Sequence, residues 1–529
     1  MEDEMVAPGD MPSNACADRP DEDIAYGGGI ESSAGENRPL PRAIFRAYDI
    51  RGIVGQELTE EVVYRIAQAI GVRSRALDIR TLVVGRDGRH SGPMLGDALI
   101  RGLNAGGCDV LDIGLVPSPL LYFATSHLGT KSGVMVTGSH NPSSYNGLKI
   151  LLKGQTLYGD DIIGLKYLIE SGDIERIVDE RKAASARRER IEGMERIYIE
   201  RVLEDIAPVS PTSERALKIV IDCGNGAAGS LAPALFRALG HEVIELHCEI
   251  DGDFPNHHPD PTVPENLEDL IRTVRERRAD LGLAFDGDGD RLGVVDDRGG
   301  ILWPDRQLML YARDVLSNRP GERIIFDVKC TGLLAAYIEQ YKGRPVMCRS
   351  GHSYIKRELL ETAAPLAGEM SGHIFFADRW LGFDDALYAG ARMAEILGAA
   401  GCRASELFAQ LPDGVGTPEI RVPVAEGEQE RIVEMLKSGN AFPDAQITEI
   451  DGLRADFSDG WGLVRASNTE PGLVMRFEGK DAQSLARIRG RFEKALLATA
   501  AGPMLEDALG RLASSPTDLA GHSIDTDKA

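Results

Sequence analysis

Positive charge is in short supply along these 529 residues: 59 Lys and Arg stand against 83 Asp and Glu, a formal net charge of −24. A balance of that sign repels phosphate backbones and anionic lipid surfaces, so neither nucleic acid nor a membrane is expected as a partner. If the chain nonetheless binds a small anion, the cationic groups that hold it must be gathered locally against the overall field. Cysteine is sparse too. Cys16, Cys108, Cys223, Cys248, Cys330, Cys348 and Cys402 are scattered, odd in number and without a C-x-x-C pair, which points to a reducing cytoplasm rather than a disulfide scaffold. Apolar runs of about 18 residues, the length of a membrane span, are missing. The acidic opening MEDEMVAPGDMPS also lacks the basic and apolar segments of a secretory signal. Missing as well is G-x-x-x-x-G-K-[ST], which leaves a nucleoside triphosphate donor without a seat. Nothing calls for an obligatory protein partner.

What is there, 43% hydrophobic and 27% charged residues, is the composition of an ordinary α/β enzyme. The length exceeds one core and predicts several domains of roughly 100 to 150 residues. Residues 1–40, rich in Asp, Glu, Gly, Pro and Ser, read as a disordered extension, and 504–529 as a polar tail. Between them one order of elements recurs three times: strand, Gly-bearing polar loop, helix, strand. It begins at TLVVG–RDGRHSG, at LKIVID–CGNGAAG and at ERIIFD–VKCTG. Such βαβ units build parallel or mixed sheets with functional loops at the strand ends, predicting three related α/β domains over 41–187, 188–300 and 301–412. Beyond about Pro412, short strands and two charged helices predict a smaller α+β domain over 413–503. The charged stretch GLKYLIESGDIERIVDERKAASARRERIEG reads as a solvated helix or linker between the first two modules.

Four constellations carry chemistry. In AFDGDGDRLGVV, Asp286, Asp288 and Asp290 alternate between strand-like flanks and can turn toward one hard cation such as Mg²⁺. An EF-hand shares D-x-D-x-D but needs Gly and Glu where Arg291 and Asp297 stand; a purely structural acidic turn would leave three carboxylates repelling one another. In GVMVTGSHNPSSYNGLKI a strand delivers Ser139 and His140 into a Gly- and Pro-bounded loop, where a serine oxygen is exposed for phosphoryl chemistry, with Lys149 just beyond. An ordinary turn serine is the competing reading. RASNTEP gathers Arg465, Ser467, Asn468 and Thr469 into an anion cradle suited to phosphate, or into a capped turn. GEMSGH offers Glu369, Ser371 and His373 on a Gly-flanked loop, a carboxylate and hydroxyl suited to paired sugar hydroxyls, or a plain surface loop. A rival is CGNGAAG, whose G-x-G-x-x-G after a strand, with Glu245 beyond, matches a dinucleotide fingerprint; nothing supplies it with a hydride-transfer partner. A cation site, a phosphate cradle, a sugar-hydroxyl loop and a candidate nucleophile without a nucleotide site suggest that the chain carries the transferable phosphoryl group itself, as in a mutase; a phosphatase that releases it to water is the next simplest reading.

In order, FRAYDIRG, TGSHNP, NGLK, FPNHHPDP, DGDGDR, DVKC, SGHS, GEMSGH and RASNTEP resemble the α-D-phosphohexomutase family and its bacterial phosphomannomutase/phosphoglucomutase branch, from about Ala43 to Ala500. The resemblance implies four domains around a central cleft and a phosphohexomutase that interconverts the 1- and 6-phosphates of mannose or glucose through a phosphoserine and a 1,6-bisphosphate. By matching position it implies that Ser139 is the phosphoserine and joins Asp286, Asp288 and Asp290 in holding one Mg²⁺. Arg51, His140, Lys149 and Arg291 would serve the transfer. Tyr48, Lys329, His352, Glu369, Ser371, His373, Arg465, Ser467, Asn468 and Thr469 would bind the phosphorylated hexose. Glucose or mannose 1,6-bisphosphate would be the activator. Lys149, His140, Lys329 and His373 remain open as the base. The serine and GEMSGH loops look more like the mannose/glucose branch than the glucosamine branch.

Overall fold

Three runs dense in Val and Ile become interior strands of three sheets: Thr81–Arg86, Lys218–Asp222 and Arg323–Asp327. Their interiors are buried, as expected of parallel strands covered on both faces. Each runs parallel to two neighbours, Asp109–Leu115 and Gly133–Val136 in the first sheet, Glu242–Leu246 and Leu281–Phe285 in the second, Arg344–Cys348 and Leu366–Gly368 in the third. The later neighbour then turns back into an antiparallel strand, respectively Tyr145–Leu152, Leu292–Asp296 and Ile374–Phe376. The structure, a computed structural model, describes residues 40–177, 186–210, 215–467 and 471–499. Within it the mixed α/β repeat read from the sequence is present three times.

The turn-back loops, 137–144, 286–291 and 369–373, therefore occupy one topological position in three copies. They carry Ser139, the aspartate trio and Glu369 with His373. A contiguous core joins the three modules, running from Tyr122 and Phe123 through Phe236 and Leu283 to Phe326 and Tyr388. Burial on that scale fixes the three loops relative to one another.

The fourth module has its own core, including Ile432, Leu453, Met475, Phe477 and Phe492. Its antiparallel sheet runs Val415–Gly416, Gly472–Gly479, Gly460–Ala466, Leu453–Phe457, Gln446–Thr448, with Ile420–Pro423 also on Gly472–Gly479. Helices Glu428–Ser438 and Ala482–Leu497 cover it; Asp481 caps the second by accepting from Ser484 N at 2.8 Å. This is the α+β architecture expected.

One segment departs from expectation. The charged stretch from Gly164 takes in the end of helix Asp160–Glu170 and helix Asp173–Ile177, but Arg188–Arg190 joins the first sheet as an edge strand parallel to Asp109–Leu115. Cross-strand charge explains it: Arg188 reaches Asp112 and Asp97, each at 2.7 Å, and Arg190 reaches Asp112 at 3.1 Å. Among the described residues no helix is long and apolar enough to cross a membrane, and all six described cysteines are free.

Candidate active site

Ser139 sits at the tip of the first turn-back loop with φ of 48°, a left-handed conformation that a serine adopts only when its surroundings impose it. Arg89 does so. Its guanidinium donates to the carbonyls of Ser139 (2.7 Å), Asn141 (2.6 Å), Pro142 (2.6 Å) and Tyr145 (3.0 Å), and its Nε to Asp87 at 3.1 Å. Asp87 in turn accepts from Thr137 Oγ1 at 2.7 Å, and Thr137 Oγ1 accepts from Ser139 N at 2.8 Å. The exit direction of the serine is thus fixed by a fully used set of donors. Its hydroxyl donates to Asp286 Oδ2 at 3.1 Å and lies 3.3 Å from His140 Nδ1.

Asp286, Asp288 and Asp290 occupy the second loop, all fully buried. Gly287 between them is required by space, because a Cβ there would lie 2.4 Å from the carbonyl oxygen of Ser139. Lys149, buried on the strand after the serine loop, donates to Asp288 at 2.6 Å and also to Asp290. Ser118 hydrogen-bonds Asp288 through its hydroxyl and donates its N–H to the Asp288 carbonyl at 2.8 Å. Burial and repulsion from Asp290 and Asp288 push Asp286 well above the usual carboxylate range. Burial would raise Asp288 as well, but the Lys149 charge pulls it down. For Lys149, burial opposes the charged form and loses to the two carboxylates, so its pKa lies well above the ordinary value. Three buried carboxylates with ligand oxygens within 4.8 Å of one another, two of which, Asp288 Oδ1 and Asp290 Oδ1, lack any hydrogen-bond partner, form a hard oxygen set. That set, with the Ser139 hydroxyl beside it, fits a divalent cation of the Mg²⁺ type.

Arg291, next in the loop, donates through Nε to His373 Nε2 at 3.1 Å, bringing the second and third turn-back loops together. The other ring nitrogen of His373 lies 3.2 Å from Asp384 Oδ2 and 3.6 Å from Asp290. His352 stacks on His373, centroids 5.3 Å apart, and lies 3.5 Å from Asp384; Lys356 donates to Asp384 at 2.8 Å. Burial, then Lys356, holds His352 well below its usual pKa; burial, then Arg291, Arg51 and Lys149, does the same to His140, so both rings are neutral near pH 7. Arg51 reaches Asn141 Oδ1 at 2.5 Å.

On the far wall Glu369 accepts from Gly351 N at 2.5 Å, while Ser371 is half-buried on the same loop. Tyr48 donates to the Ser350 carbonyl at 2.9 Å. Lys329 pairs with Glu419 at 3.1 Å, and Arg465 donates to Asp451 at 2.9 Å. Ser467 is half-buried at the end of its strand; Asn468 and Thr469 lie outside the described residues. Sequence reasoning missed Asp87, Arg89, Ser118, Asp384 and Asp451. The one available signal was positional: RDGRHSG follows an interior strand, as CGNGAAG and VKCTG do.

The glycine-rich turn serves packing rather than a dinucleotide. A Cβ on Gly226 would lie 2.8 Å from Gly287 O, and one on Gly229 would lie 2.0 Å from Cys248 O, so the glycines close onto protein where a pyrophosphate would have to enter. Glu245 at the end of the next strand pairs with Arg237 at 2.5 Å.

Family models described as phosphoglucomutase/phosphomannomutase match along the chain: alpha/beta/alpha domain I over residues 42–172, domain II over 196–300, domain III over 303–414 and the C-terminal domain over 419–495. A phosphomannomutase/phosphoglucomutase of Pseudomonas putida is 52% identical, covering 87% of this chain and 96% of its own. One of Pseudomonas aeruginosa is 51% identical with the same coverage. A crystal structure of a phosphoglucomutase/phosphomannomutase family protein from Burkholderia thailandensis is 48% identical, covers 87% of this chain and 98% of its own, and superposes with a TM-score of 0.79.

Proposed function

Because the chain belongs to the phosphoglucomutase/phosphomannomutase family, we propose that it interconverts the 1- and 6-phosphates of a hexose, mannose or glucose, through a phosphoserine at Ser139 and a hexose 1,6-bisphosphate. The observation that carries the residue assignment is the Ser139 hydroxyl, held left-handed and 3.1 Å from Asp286 in a buried trio of carboxylates. In the forward half-reaction the bond from phosphorus to Ser139 Oγ breaks and a bond to the free sugar hydroxyl forms, the hydroxyl proton passing to a protein base. The bisphosphate then turns end for end. Its other phosphoryl group returns to Ser139, and the isomer leaves.

Ser139, Asp286, Asp288 and Asp290 would hold Mg²⁺, which supplies positive charge against the phosphoryl oxygens. Lys149, paired with two carboxylates, is placed to act as charge. His140, 3.3 Å from the serine oxygen and neutral, is one candidate base; His373, whose Nε2 accepts a hydrogen bond from Arg291, becomes one when that bond is given up. Arg51 and Arg291 balance the phosphoryl charge. Glu369 and Ser371 read sugar hydroxyls with His352 and Tyr48 behind them, while Lys329, Arg465, Ser467, Asn468 and Thr469 grip the phosphate that is not reacting. Basic groups thus gather in the cleft of an acidic chain. A trace of glucose or mannose 1,6-bisphosphate would re-phosphorylate Ser139 after an intermediate escapes, and the free cysteines suit a cytoplasmic setting.

Purified protein is expected to carry about 80 Da of phosphoryl mass on Ser139, removable by hexose monophosphate. With Mg²⁺, glucose 1-phosphate and a trace of the bisphosphate it should yield glucose 6-phosphate. Full turnover by a Ser139→Ala variant would sink the reading.

A further inference from the structure

Asp451 stands in the fourth module at a junction with the first and third. One of its oxygens, Oδ2, accepts from Arg465 Nε at 2.9 Å and from the backbone N–H of Ser350 at 3.0 Å. Ser350 is held on every other side. Its carbonyl accepts from Tyr48 at 2.9 Å and its hydroxyl donates to Asp327 at 2.7 Å, while the next N–H, of Gly351, donates to Glu369. Arg465 itself is only 6% exposed, and its Nη2 has no hydrogen-bond partner. A buried guanidinium held from one side by Nε leaves that donor aimed for an anion. A carboxylate beside an anion site weakens binding by charge alone, so its presence there calls for a geometric role.

We propose that Asp451 is a positioning residue that couples the phosphate cradle of the fourth module to the sugar-reading turn of the third. The coupling rests on the assignment of Arg465 to the non-reacting phosphate. Through one oxygen it sets the direction of the guanidinium and pins the Ser350–Gly351 backbone, whose N–H orients Glu369. A hexose phosphate seated on Arg465 thereby finds Glu369 already placed, in either orientation of the sugar.

The test is steady-state kinetics on the Mg²⁺-loaded enzyme with glucose 1-phosphate. D451A is expected to raise KM about tenfold, the scale of one lost charge-assisted hydrogen bond. D451E keeps the charge but displaces the oxygen, and should raise KM similarly. D451N, whose amide oxygen still accepts both hydrogen bonds, should stay within about threefold of the parent. D451A combined with Glu369→Gln should cost less than the product of the two single effects. If Asp451 only balanced charge, D451A and D451N would lower KM and D451E would leave it unchanged; that pattern overturns the proposal, and D451E decides it even if D451A fails to fold. Arg465→Ala separates the layers. A parent-like KM there overturns the phosphate assignment and the coupling with it, whereas a raised KM beside an unaffected D451E overturns the coupling alone.

Discussion

Lys149 is a buried ammonium set between two buried carboxylates, and removing it leaves those carboxylates facing each other. Lys149→Met is expected to lower kcat by about a hundredfold or more, the usual loss when a charge aimed at the reacting group is deleted. The same variant should gain more thermal stability from added Mg²⁺ than the parent does, because only the cation then relieves the repulsion; melting curves with and without the ion check this. His241 offers a pH test away from the site. Its Nδ1 accepts from Leu217 N at 3.2 Å, and burial lowers its pKa from 6.5 to about 4. A histidine depressed on folding contributes stability that is full above its unfolded value and is lost as pH falls through 6.5 toward 4. The stability difference between parent and His241→Gln should therefore shrink across that window, as denaturant midpoints at successive pH values would register.

At the scale of the loop, the serine turn is a strained conformation held by Arg89, Asp87 and Thr137. In Arg89→Lys three donors replace five, leaving buried carbonyls unpaired; a loss of about 3 kcal/mol is expected, read from urea unfolding with an unchanged slope. Gly226→Ala should reduce kcat without touching any substrate group, since its Cβ presses on Gly287 and so on the aspartate loop. These cases also mark what could be read in advance. Ser139, the aspartate trio and Glu369 stand in short contiguous motifs after strands, and the three βαβ repeats were legible from the Val- and Ile-rich runs. Arg89 was not, because its role lies in carbonyls some 50 residues away, and backbone acceptors leave no trace in sequence. Ser118 meets Asp288 across 170 residues. Arg188–Arg190 looked like solvated charge until Asp112 and Asp97 came alongside.

Across the whole molecule, one core runs through three modules, each of which also holds a smaller one of its own, while the fourth relies on its own. The seam between third and fourth is mostly polar: Arg454 donates to the Val328 and Cys330 carbonyls at 2.7 and 2.9 Å, Thr331 donates to Glu478 at 2.8 Å, and Trp461 supplies the apolar contact. Such a seam permits one body to close on another, and a substrate gripped from both sides should tighten it. Saturating glucose 6-phosphate is expected to slow amide exchange in Val328–Gly332 and in the strand Leu453–Phe457 together. At a hundred times its Kd it should add about 2.7 kcal/mol of stability. Exchange that slows on one side only would argue against closure.

The shared position of the three turn-back loops bears on ancestry. A duplicated unit hands its descendants identical corners, and each corner can take up a separate task while the scaffold stays untouched. In the proposed reaction one copy bears the donor, another the acids that would hold the cation, and the last the reader of the guest. Specialisation of that kind is swappable: exchanging only residues 369–373 for those of a relative with a different sugar should transfer preference while leaving the nucleophile and the aspartate loop intact.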